Sequence, residues 1–166
     1  MKKYKWLIIL LNLIIVLVLF NKSVVKKESL LANGELVLLE LTPVDPRSLM
    51  QGDYMILRYA ISDNTNDNYD SKNSSKRGFC VVTLDENGVA KRERLQDDKT
   101  PLKENEHLIK YNARQWNGIN IGAESFFFQE GTAEKYEKAK YGGLKIDKEG
   151  NSLLIGLYDE NRKKIE

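Results

Sequence analysis

The chain has 166 residues, 42% of them hydrophobic and 30% charged, with a formal charge of +2, one cysteine and one histidine. That length suits one domain with an appendage and is short for two globular domains, while Cys80 and His107 alone allow neither an internal disulfide nor a Cys₄ or Cys₂His₂ zinc site. Residues 1–27 hold six lysines and no acid, so residues 28–166 carry −4 and lack the basic balance of a nucleic-acid-binding domain.

The first predicted element is apolar. Leu7 to Phe20 is interrupted only by Asn12, and from Trp6 to Val25 the run reaches twenty residues, the length of a membrane span, with Trp6 at one interface and Lys22 able to snorkel at the other. The alternative, the core helix of a soluble protein, is rarely introduced by a lysine cluster at the amino terminus. No small-x-small pair favours cleavage, so the expectation is an uncleaved signal anchor over 6–25 behind a basic tail, 1–5. Lys2, Lys3 and Lys5 place the amino terminus in the cytoplasm and the body outside the cell membrane.

Residues 26–34 read as a linker ending in Asn-Gly, and 35–166 as the exported body. ELVLLELT is a strand; Pro43 and Pro46 then force an irregular loop. DYMILRYAI follows as a strand with Asp53, Met55, Leu57, Tyr59 and Ile61 on one face and Tyr54, Ile56, Arg58 and Ala60 on the other, largely apolar on both as suits a covered central strand. Residues 62–76 form a polar loop without the glycine and glutamate spacing of an EF-hand. RGFCVVTLDENGVAKRERL is a hairpin around Asn-Gly, and HLIKYNAR and INIGAESFFFQ are further strands. A helix is expected near 132–141, capped by Thr132 and stopped by Gly142-Gly143, before a last hairpin around 148–151. The fold class is mainly β (α+β): an N-terminal transmembrane helix, then an antiparallel β-rich domain with one short helix.

Gly52-Asp53-Tyr54-x-x-Leu57-x-Tyr59 resembles, in every fixed position, the signature of the bacterial GDYXXLXY family. The leading VDPRSLMQ, the later GAESFFFQEGTAEKYEKA and the closing hairpin extend the resemblance over most of 35–159. It implies a membrane-anchored protein with no established activity; some family members are encoded near polytopic membrane proteins. The anchor, proline loop and Gly-Asp strand are also similar in shape to signal peptidase and LexA-like proteases, whose serine–lysine dyad would require a lysine base. Ser48 lies only four residues before Gly52, and strand 53–61 offers Arg58, which is no base at neutral pH.

Asp45, Arg47, Asp53 and Arg58 are candidates to grip an anionic group, or else to order the loop among themselves. Tyr54 and Tyr59 are candidates to stack on a ligand, or else fill the core. Cys80 and His107 lie on strand runs and read as structural. Among Phe126, Phe127 and Phe128, alternation sends at least one ring to the opposite face, where it contacts a partner or bilayer if nothing in the domain covers it. The reading is of a non-catalytic envelope protein without metal or cofactor, whose body binds a partner such as a polytopic membrane protein. Its alternative is a hydrolase of signal-peptidase-like shape.

Overall fold

Residues 4–42, 50–51, 54–63, 76–113 and 118–166 are described by the structure, a computed structural model. Helix α1 (Lys5–Asn33) carries the apolar run. It is long and apolar enough to cross a membrane, and its most apolar stretch is uncovered by the body. The helix does not stop at residue 25: the segment expected as a linker is helical to Asn33, because Lys, Glu, Leu and Ala favour the helix and no proline interrupts it. Gly34 turns extended while its amide still donates to the Leu30 carbonyl at 2.8 Å. Leu30 is the only core residue that α1 supplies among the described residues.

Among the described residues ten strands follow: β1 (Glu35–Glu40), β2 (Met50–Gln51), β3 (Tyr54–Ile56), β4 (Arg77–Leu84), β5 (Ala90–Gln96), β6 (Glu106–Ala113), β7 (Ile119–Asn120), β8 (Ser125–Phe127), β9 (Tyr141–Ile146) and β10 (Ser152–Tyr158). They form three antiparallel sheets, ordered β1-β9-β10, β2-β3-β8 and β5-β4-β6-β7. A parallel bridge, Leu38 to Val89, and a bond from the Leu38 amide to the Gly88 carbonyl, 2.9 Å, join β1 to the start of β5. The inward faces share one core, in which Val37, Leu39, Val82, Ile109, Leu144 and Leu157 are sealed from solvent.

The strand expected over 53–61 is a ladder only at β3. Beyond Ile56 the backbone changes partners: the Leu57 amide donates to Glu124 O at 2.7 Å, Arg58 O accepts from Thr42 N at 2.8 Å, and Tyr59 bridges to Leu41. A 3₁₀ turn, Ala60–Ser62, then ends the segment. The expected helix is also shorter, a single turn, α2 (Ala133–Tyr136), and the Thr132 hydroxyl donates to Gln129 O rather than capping it. Gly142 and Gly143 belong to β9, where the rings of Tyr59 and Tyr158 occupy the space that a Cβ would need.

Candidate partner-binding face

Sheet β2-β3-β8 displays the segment on which the sequence reading centred. Its register sets Tyr54 opposite Phe127, Met55 opposite Phe126 and Ile56 opposite Ser125. Alternation then divides the side chains: Met55 enters the core, while Tyr54, Ile56 and Phe127 share the outer face. Phe127 is 73% exposed and Ile56 45%, and the Tyr54 and Phe127 rings meet with centroids 5.8 Å apart. The second face expected to be covered is therefore open.

The inner rings anchor the strand from behind. Phe126 and Phe128 pack against the core, and both meet Tyr136 of α2, at 5.0 and 5.5 Å between centroids. Three successive phenylalanines on a two-residue period thus split two inward and one outward, the signal that the sequence carried. Ile56 had no such signal, because nothing local marks which face of a strand remains uncovered.

Tyr59 lies in the core. It is fully buried, and its hydroxyl donates to Ala123 O at 2.6 Å. Burial, reinforced by the nearby Glu124 carboxylate, pushes its phenol above the ordinary value, so it remains a donor. Glu124 in turn accepts from the Ile121 amide at 2.6 Å, ordering residues 119–124 around the tyrosine. Arg58 is exposed and lines a shallow cleft with Ser62, Asp63 and Glu124. Asp45, Arg47 and Asp53, with Ser48 and Gly52, lie outside the described residues, so the structure does not address the polar cluster expected of them.

Cys80 is buried and its thiol is pushed up to about 12 by burial, while His107 faces Glu35, with Nδ1 at 3.2 Å from the carboxylate. In register Cys80 opposes Ile109 and His107 opposes Val82, which makes the two diagonal neighbours; the thiol is sealed in the core, the imidazole is turned to Glu35, and no bond joins them among the described residues. Thr42 donates to Asp63 Oδ2 at 3.2 Å, but no described lysine or histidine completes a nucleophile, base and orienting group there. A bidentate charge pair, which the sequence reading missed, joins Arg94 to Glu106: Nη1 to Oε1 at 2.6 Å and Nη2 to Oε2 at 2.8 Å. The Lys103 amide adds a third bond to Glu106 at 3.0 Å, and the set closes the 97–105 loop rather than opening a site.

An apolar leading helix, an antiparallel β body and an open aromatic face define a β-rich protein with one candidate span and a surface suited to contact, with no assembled reaction centre among the described residues. The chain belongs to the GDYXXLXY family, whose model matches residues 16–157. No curated protein and no solved structure matches it significantly. Of the fixed positions in the signature, Leu57 and Tyr59 are core residues and Tyr54 is half-buried beside Phe127.

Proposed function

We propose that this is a single-pass envelope protein of the cell membrane, amino terminus in the cytoplasm, whose exported body binds a polytopic membrane protein through Tyr54, Ile56 and Phe127. The carrying observation is the exposure of Phe127 on a face fixed from behind by Phe126, Phe128 and Tyr136. With the strand anchored from behind, an exposed aromatic has only two side-chain torsions to fix on docking and gains by desolvation, which is how interface anchors work. The long uncovered α1 and the lysines before it support the anchoring and its orientation.

A photoreactive residue at position 127, activated in native membranes, tests the reading. The expected product is an adduct with an integral membrane protein, lost on Tyr54→Ser, which should change body stability by less than about 1 kcal/mol because that ring is only half-buried. Absence of any adduct from a correctly inserted chain would overturn the binding reading. Protection of the body from protease in intact spheroplasts would overturn the orientation.

A further inference from the structure

Asn12 is the polar residue inside the apolar run of α1, and it is exposed on the helix surface. At 1.5 Å per residue it lies about 9 Å along the axis from Trp6 and about 20 Å from Val25, inside the hydrocarbon if the anchoring proposed above holds. Asn21, nearer the end of the run, gives its amide to the Leu17 carbonyl at 2.8 Å. Asn12 makes no side-chain bond among the described residues, and even a back-bond of that kind would leave an N–H and acceptor capacity on its oxygen unused. An unpaired amide in hydrocarbon costs roughly 4–8 kcal/mol on the cyclohexane scale, so a partner at that depth is strongly favoured.

We infer that α1 pairs with α1 of a second copy of this chain, Asn12 bonded to Asn12. The carboxamide both donates and accepts, which makes it its own complement. Copies inserted by one rule are parallel and hold Asn12 at the same depth, and in a parallel pair the residues of one central position face each other. Taking Asn12 as such a position, the heptad spacing places Ile8, Ile15 and Leu19 along the same seam, all exposed. Isoleucine is already confined to one main χ1 rotamer in a helix, so packing it costs little further entropy. Lys5 and Lys22 fall on the seam at its two ends, where their ammonium groups reach water.

The inference rests on the membrane-anchored reading, and the experiment separates the two. Full-length chain labelled at Glu166→Cys, Cys80 being buried, is reconstituted in phosphatidylcholine–phosphatidylglycerol vesicles with donor and acceptor dyes. Energy transfer should rise with the protein-to-lipid ratio and fall when unlabelled chain is added. Asn12→Val should weaken association by roughly 5- to 30-fold, corresponding to one interhelical amide bond, whereas Asn12→Gln should retain it. Transfer no greater than random, or equal for Asn12→Val, overturns the pairing. A photoreactive residue at Ile15 that captures only a different protein in native membranes overturns it too. Release of the wild-type chain by alkaline carbonate defeats the anchoring and the pairing together; retention without transfer defeats the pairing alone.

Discussion

Glu106 shows how one buried carboxylate sets an acid limit for the body. The Arg94 guanidinium, with the Lys103 amide, holds its pKa down to about 2 from the ordinary 4.5, so the unfolded chain binds the proton more readily than the folded one. Its contribution to stability is therefore complete above pH 4.5 and lost as the pH falls toward about 2. Glu106→Gln should lower the unfolding midpoint at neutral pH and flatten its decline over that window; parallel curves for the two proteins would disprove the assignment. A second residue-scale pattern recurs three times. Asp85, Asp147 and Asp159 each accept from the amides two and four residues ahead, at 2.8–2.9 Å in the first turn and likewise in the others. In each, the third residue on is left-handed: Gly88 at φ +74°, Gly150 at +78° and Arg162 at +61°. Gly88→Ala meets no neighbour and should cost about 1–2 kcal/mol in urea unfolding, from strain alone. Gly150→Ala should cost more, since its new methyl would stand 3.2 Å from Phe79 and 3.3 Å from Leu108. Equal losses would contradict that account.

Alternation was the legible part of the elements. It assigned Asp53, Met55, Leu57, Tyr59 and Ile61 to one face, and the four of these that are described are buried even though only β3 is a ladder: the backbone stays extended through Tyr59, which bridges to Leu41, and Ile61 enters the core from the 3₁₀ turn. Two features were not legible, and for one reason: each depends on a residue distant in sequence. The outer face stays open because, among the described residues, no later segment crosses it, and the tyrosines that lie over Gly142-Gly143 come from elsewhere in the chain. The Tyr59–Gly142 contact is testable as a unit. A methyl on Gly142 would stand 2.8 Å from Tyr59 Cε1, so Gly142→Ala should destabilise by about 1–3 kcal/mol. Tyr59→Phe removes the donor from the Ala123 carbonyl and should cost a similar amount, about 1–3 kcal/mol. Tyr59→Leu removes the ring edge as well, so in that background Gly142→Ala should lose much of its own cost; strict additivity would show that the contact is not the cause.

On the scale of the whole molecule, α1 joins two environments of opposite demand. From Trp6 to Val25 its side chains are exposed in the absence of lipid, whereas its last two turns lie on the body: Leu30 is 7% exposed, Lys145 Nζ donates to Gly34 O at 2.7 Å, and Lys26 Nζ reaches Asn151 Oδ1 at 3.4 Å. The helix therefore runs unbroken to Asn33 and is tied to the body at its end, so under the proposed anchoring these contacts set the face that the body turns toward the membrane. Eight residues of helix are too few to persist in water alone, so 26–33 must draw its order from the body. A chain beginning at Lys26 should consequently unfold in one cooperative transition, because the core takes nothing from residues 5–25. Within it, Leu30→Ala should cost about 2–3 kcal/mol, toward the lower end for a buried leucine at the edge of a core. Helical signal at 26–33 should fray first on heating, followed by amide exchange before the strands open. If the shortened chain fails to fold, the core depends on the apolar run after all; if it folds and Leu30→Ala is neutral, the helix and body are joined by the chain alone and the body is free to reorient.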